Sequence, residues 1–240
     1  MKLCDAVNEM DSSQSFSRQD FKEKVLSIYP EYNENSLSSS IDSFIKKQVF
    51  MKLDEDNYIL TSDRKYYSYK NSEQLKEIQN TVHEEYPDAN FQAWEFSQLN
   101  EFLNHLLANT TYVIEVESVF LESVFETLKE KYDNVLFNPT SKEFFRYAKN
   151  KTIVVKKLVS EAPTDNEKPH QLQLEKLLVD IVVDRFTSQI INRSEIYDIY
   201  NYCLNNYYVS ENKLIRYAKR RNANTKIKYI LENIQEEKLW

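Results

Sequence analysis

Not one of the 240 residues is glycine. At an average usage of about 7%, roughly 17 would be expected. Phosphate-cradling loops, dinucleotide-binding turns, nucleophile elbows and EF-hand loops all place glycine where the backbone needs a positive φ or must approach a ligand closely. None of these motifs is present in its usual form. The composition therefore points away from the commonest enzymes and toward recognition by a surface. No catalytic residue and no cofactor is assigned.

At 240 residues the chain suits one large domain or two to three small ones. Hydrophobic residues make up 41% and aromatics 13%, including 17 Tyr and 13 Phe, enough to bury cores and exclude wholesale disorder. No apolar run approaches the ~18 residues of a membrane span. The polar start, Met1-Lys2-Leu3-Cys4-Asp5, is not that of a signal peptide. Cys4 and Cys203 lie at opposite ends and match no metal or redox spacing. His83, His105 and His170 are scattered, so no zinc site is expected. Reduced thiols and a cytoplasmic location follow as expectations.

The net charge of −7 is unevenly spread. Residues 1–64 carry −4, residues 170–240 carry +2, and the middle carries the remaining −5. This asymmetry suggests segments with different tasks.

Residues 1–63 read as a first domain. Leu3 to Met10 suits a short helix, and Ser17 with Asp20 forms a capping signal ahead of Phe21, Val25 and Ile28. A cap at Asn35 or Ser36 opens a helix carrying Leu37, Ile41, Phe44 and Ile45. Alternating Val49, Met51 and Leu53, the turn Asp54-Glu55-Asp56-Asn57 and then Tyr58-Ile59-Leu60 read as a hairpin. Three helices followed by a hairpin is the order of a winged helix-turn-helix domain, with the hairpin as its wing.

Residues 64–160 alternate helices and strands. Helices are expected over 71–86, 97–107, 120–131 and 140–149, the last with a Thr140/Glu143 capping box. Strands are expected over 91–94, 112–116, 135–137 and 152–157. The pattern argues for a small α/β layer with a largely parallel sheet. Residues 161–169, with two prolines, read as a linker. Residues 170–240 read as a helical bundle packed on the α/β layer, opening with Leu174, Leu177, Leu178, Ile181 and Val182 at helical spacing.

Several constellations bear on function. In the winged-helix reading, residues 35–47 are the recognition helix. Its Ser36, Ser38, Ser39, Ser40 and Ser43 suit bonds to phosphates or base edges, and Lys46, Lys47 and Lys52 suit phosphates. The acidic wing tip works against DNA affinity, and a winged helix used for protein contact is the rival reading. Lys213, Arg216, Lys219, Arg220, Arg221, Lys226 and Lys228 fall within 16 residues that contain no acid. They suit either a solvated helix end or an anion-facing patch. Restriction-type nucleases carry acid-x-Lys on a central strand to hold a metal. Glu115-Val116-Glu117 sits near the end of such a strand, with Glu117 in place of the lysine and no nearby acid to complete the set, which leaves a divergent nuclease as a third, weaker reading. Asp180 and Asp184, four residues apart on one helix, suit either a bound cation or, better, the polar flank of their helix beside Arg185.

The order of segments resembles the AbiE-type antitoxins, transcriptional regulators of type IV toxin–antitoxin pairs. The likeness rests on the N-terminal winged helix, on Leu174-Glu175-Lys176-Leu177-Leu178-Val179-Asp180, and on Leu214-Ile215-Arg216-Tyr217-Ala218-Lys219-Arg220-Arg221-Asn222. The run from Tyr112 to Pro163 also fits. In that family the wing turns at glycine, which this chain replaces with Asp54 to Asn57. The resemblance implies a non-enzymatic autoregulator that binds double-stranded DNA at inverted repeats in its own operon, as a homodimer suits. It also implies an antitoxin that counters a nucleotidyltransferase toxin or protects that toxin's target, without necessarily touching the toxin.

Overall fold

The computed structural model describes residues 2–103, 106–107, 109–165 and 168–237. Two compact units emerge. One comprises Met1–Tyr67 with Asn205–Tyr208, and the other Ser68–Leu204 with Val209–Trp240.

In the first unit, α1 (Lys2–Asn8) precedes α2 (Arg18–Ile28) and α3 (Leu37–Lys46), the last entered through a 3-10 turn at Glu34–Ser36. The expected capping box opens α2: Ser17 accepts from the backbone N–H of Asp20, whose carboxylate accepts from that of Ser17. Ser36 does stand at the start of α3, yet its backbone is already helical, so its hydroxyl turns back to the carbonyl of Asn33 and caps nothing. A hairpin follows, β1 (Phe50–Lys52) antiparallel to β2 (Tyr58–Leu60). Asp54 builds the turn by accepting from the backbone of Asp56 and Asn57 and from the Asn57 amide. Phe16 exchanges two backbone hydrogen bonds with Tyr58, 2.8 and 2.9 Å, adding a third extended segment beside β2. Segment 205–208 joins this unit through Lys65, whose N–H donates to Asn206 and whose carbonyl accepts from Tyr208. Phe16, Phe21, Phe44 and Phe50 fill the core with ring centroids 4.9–6.3 Å apart. Each such buried ring contributes roughly 1.5–3 kcal/mol.

In the second unit, α4 (Glu73–Glu85), β3 (Phe91–Glu95), β4 (Thr111–Val116), α5 (Leu121–Lys131), β5 (Val135–Phe137), α6 (Ser141–Tyr147) and β6 (Thr152–Lys157) alternate. The sheet runs β3-β4-β6-β5. Strand β6 is parallel to both of its neighbours, whereas β3 is antiparallel to β4 and makes the sheet mixed. A parallel crossover needs a spanning helix of a dozen residues or so. Here the expected helix over 97–107 is only a 3-10 segment, Phe96–Glu101, and the chain reverses. Phe96, Leu99 and Phe102 recur every third residue, the period of a 3-10 helix. Asn104, His105 and Ala108 lie outside the described residues.

Every residue of β4 is buried, because both sheet faces are covered. One face carries Phe91, Ala93, Tyr112, Ile114, Ile153 and Val155 against Leu75, Ile78 and Val82 of α4 and Val124 and Leu128 of α5. The other carries Glu115 and Lys156 toward α7 (Leu174–Val183), which is buried from Leu174 to Ile181. Helices α8 (Thr187–Ile190), α9 (Arg193–Asn206), α10 (Glu211–Arg220) and α11 (Asn224–Glu237) follow, with α10 packed on α7 and α11 on α10. Asn205 and Asn206, the last residues of α9, belong to the first unit. The stretch read as a linker meets β3 at Pro163, whose carbonyl accepts from Gln92, and Ala93 donates to the carbonyl of His170, the first residue after it.

Turns that usually take glycine take other residues. Gln48, Asn138, Lys151, Glu161 and Asn222 have φ of 57, 38, 65, 61 and 54°. Gln48 and Asn222 close Schellman motifs after α3 and α10: Val49 donates to Phe44 and Gln48 to Ile45, Ala223 to Ala218 and Asn222 to Lys219. A left-handed residue with a β-carbon costs roughly 1–2 kcal/mol, less for Asn. Among the described residues, no helix is long and apolar enough to cross a membrane.

Candidate nucleic-acid interface

The three lysines expected to meet phosphates stand at the end of α3 and on β1. Lys46, Lys47 and Lys52 are exposed, with the Lys47 ammonium 5.9 Å from the Phe44 ring centre. The serines are less free. Ser36 donates to Asn33, and Ser39 and Ser40 both donate to the carbonyl of Ser36. Hydroxyls bonded back to their own helix keep acceptor lone pairs but must turn to donate outward. Ser43 is half-buried, and the side chain of Ser38 lies outside those described.

Arg18 is a residue that sequence reasoning missed here. Its guanidinium lies 4.0 Å from Asp42 of α3 and 3.5 Å from Asp56 of the hairpin turn, and 5.5 Å from the centre of the Tyr58 ring. Arg18 of α2 thus faces one acid of α3 and one of the acidic wing tip. A signal was present. A cation in the first turn of a helix opposes the helix dipole and calls for acids nearby.

The basic run spans α10, the Asn222 elbow and the start of α11. Lys213, Arg216, Lys219, Arg220, Lys226 and Lys228 are exposed. Arg216 approaches Glu161 at 3.8 Å across solvent, and Arg220 donates to the Ser160 hydroxyl. Tyr229, 53% exposed, adds an aromatic face one residue past Lys228. Arg221 departs from the expected patch. Its guanidinium turns inward, 3.2 Å from Asp180 and 3.9 Å from Asp184.

That inward turn completes a buried ionic cluster. Glu115 and Lys156 are cross-strand partners on β4 and β6, 3.3 Å apart. Lys176 bridges Glu115 at 2.8 Å and Asp180 at 2.6 Å, while Lys156 also pairs with Asp184. The Tyr217 hydroxyl donates to Asp180, and the backbone of Phe186 and Thr187 donates to Asp184. Asp180 and Asp184 are thus interior groups rather than a polar flank, because Lys156 of β6, Lys176 of α7 itself and Arg221 after α10 supply cations on that side of α7. Burial by itself pushes the Glu115 carboxyl up, but Lys156, Lys176 and Arg221 pull it down to about 2. Burial opposes the charged forms of Lys156 and Lys176 too, yet the surrounding carboxylates hold both above the usual lysine range. Three acids and three bases balance, so the arrangement locks α7 and the α10 elbow to the sheet. Glu117 stands apart, accepting from the backbone of Asn90. Among the described residues, no three or more His, Cys, Asp or Glu side chains are grouped to hold a metal.

A family model matches residues 36–237 of the chain. The chain belongs to the family of unknown function DUF6577. The DUF6577 match takes in α3, the hairpin, the basic run and all six charged members of the buried cluster. Arg18 and α2 precede it. No curated protein matches the chain.

Proposed function

We propose that the chain is a DNA-binding transcriptional regulator that uses residues 1–63 as a winged helix on double-stranded DNA. One observation carries this reading. The paired Phe16 and Tyr58 add an extended segment between α1 and α2 to the edge of β2, so the order helix, strand, helix, helix, hairpin is that of winged helices. Exposed Lys46, Lys47 and Lys52 flank the α3–hairpin junction and suit phosphate contacts. The six exposed cations of α10 and α11, in the second unit, suit phosphate contacts of their own. An antitoxin role opposite a nucleotidyltransferase toxin, autoregulation at inverted repeats by a homodimer, and a cytoplasmic, non-enzymatic existence belong to the same proposal. They draw support from the AbiE-like stretches 174–180 and 214–222, which are bonded to one another through Arg221 and Tyr217 on Asp180.

A mobility shift on DNA from upstream of the gene, repeated across a salt series, tests the proposal. Phosphate-based binding must weaken as salt rises. Retardation that ignores salt, or none at any concentration, rules it out.

A second reading has its own support. Met51 and Leu53, 52% and 51% exposed, flank Lys52 on the β1 edge and suit a protein partner. Co-purification with the product of the adjacent gene without DNA retardation, lost on Met51→Ser with Leu53→Ser, is the result that favours it.

A further inference from the structure

Helix α6 carries two large rings on its outside. Phe144 holds the helix to the fold: it is buried, its ring centre 4.7 Å from that of Phe186 and 5.9 Å from that of Phe96. Its neighbours Phe145 and Tyr147 are instead 51% and 50% exposed. Lone exposed apolar residues are ordinary, but two half-exposed rings on one short helix, set among cations, form the kind of patch that marks an interaction site.

The cations run between the rings and beyond them. Lys142 and Arg146 stand four residues apart and are neighbours on one ridge of the helix. The Arg146 guanidinium lies 5.3 Å from the centre of the Tyr147 ring. Lys149 and Lys151 follow in the turn after the helix, and all four cations are exposed. The turn is fixed in place. The Lys149 N–H donates to the Thr152 hydroxyl, which donates to the Lys149 carbonyl. The Lys151 N–H donates to the Thr110 carbonyl, and the Asn150 side chain accepts from the Thr110 N–H. Among the described residues, none of the four cations makes an ion pair. Glu143 is the one acid between Asn138 and Lys151. Its carboxylate is held on the backbone N–H and hydroxyl of Thr140, at 2.7 and 2.9 Å.

We infer that α6 and the turn after it bind single-stranded RNA, its bases stacked on Phe145 and Tyr147 and its phosphates met by Lys142, Arg146, Lys149 and Lys151. Successive phosphates need cations spaced along a surface rather than gathered at one point, and every base offers a flat face to a ring. A duplex hides those faces in its own stack, so rings on the outside of a helix select unpaired strands. RNA is the strand whose bases stand open in loops, bulges and ends. The site shares no residue with the proposed DNA-binding surfaces and does not rest on that reading.

Fluorescence anisotropy of a labelled oligouridine of about 12 nucleotides, titrated with the full chain, tests the assignment. Saturable binding is expected at low salt. It should weaken as salt rises, with a logarithmic slope of up to about −3, since each phosphate on a single strand contributes roughly 0.7. Phe145→Leu with Tyr147→Leu keeps apolar bulk on the helix and removes the flat faces, and should weaken binding by about tenfold per ring. Tyr147→Phe should bind as wild type does. Lys142→Gln with Lys149→Gln, both solvent-exposed changes, should reduce the slope by about 1.4. A fully paired RNA of the same length should bind distinctly more weakly. No saturable binding, equal affinity for the paired RNA, or tighter binding of an oligodeoxythymidine overturns the inference. So does a loss from Lys219→Gln with Lys226→Gln as large as that from the two leucine changes. Retardation of upstream duplex DNA by the Phe145→Leu, Tyr147→Leu chain should match that by wild type, so this inference and the DNA reading fail independently.

Discussion

The ammonium group of Lys176 lies 2.8 Å from a carboxylate oxygen of Glu115, and the two side chains are 0% and 2% exposed. One comes from α7 and the other from β4, so their bond fixes the helix on the sheet. Removing one partner of a buried pair leaves the other charged and unpaired, at a cost of about 3–5 kcal/mol. Lys176→Met should therefore lower stability on that scale, as read by urea unfolding followed by circular dichroism. A loss below about 1 kcal/mol shows that water reaches the cluster.

Glu115 also sets an acid limit. Its carboxyl titrates at about 2 in the folded chain, against roughly 4.3 in an unstructured one. Its contribution is present above the unfolded value and is lost as pH falls from about 4.3 toward 2. The urea midpoint of wild type should fall through that window more steeply than that of Glu115→Gln. At the alkaline end, Lys156 and Lys176 are raised, and burial holds the Tyr200 and Tyr217 hydroxyls well above the usual tyrosine range. All four contributions are complete below the unfolded values near 10, and they fade as pH climbs beyond about 10.

Gln48 and Asn222 occupy the same turn with different ease. Gln48→Gly should raise stability by about 1 kcal/mol, because relief of the left-handed strain outweighs the added freedom of the unfolded chain. Asn222→Gly should change little, since Asn tolerates that region. Thermal melts of the two variants check the contrast, and equal shifts contradict it.

Charge at the hairpin tip offers a test of DNA binding in the favourable direction. Glu55 is exposed, with no role in the Asp54 turn or the Arg18 bridge. Glu55→Lys should tighten retardation a few-fold at low salt. Lys219→Gln should weaken it across all sequences and reduce the salt slope by about 0.9, the value of one phosphate contact. Opposite or absent effects leave the hairpin and α10 outside the interface.

Much of the element pattern was legible because apolar periodicity and capping carry local information. The capping boxes at Ser17 with Asp20 and Thr140 with Glu143 open the helices they were expected to open. Strands 135–137 and 152–157 keep their expected bounds, since Val and Ile runs bounded by polar turns have few other solutions. The antiparallel placement of β3 was not legible, because strand direction depends on the path between 96 and 110 rather than on any strand's own residues. The ionic cluster was half-legible. Glu115 within Tyr112–Val116 and Lys156 within Thr152–Lys157 each put a charge into a strand otherwise built for burial, which demands a partner of opposite sign, while Lys157 at the end of its strand is exposed. That Asp180, Asp184 and Arg221 complete the set follows from the packing of α7 and α10, which no local pattern records.

The left-handed turns without glycine bear on the state before folding. A β-carbon at every position narrows the backbone conformations open to the denatured chain, and so reduces the entropy that ordering removes. Strain at a few native turns is thereby offset, in part, by a more restricted denatured ensemble along all 240 residues.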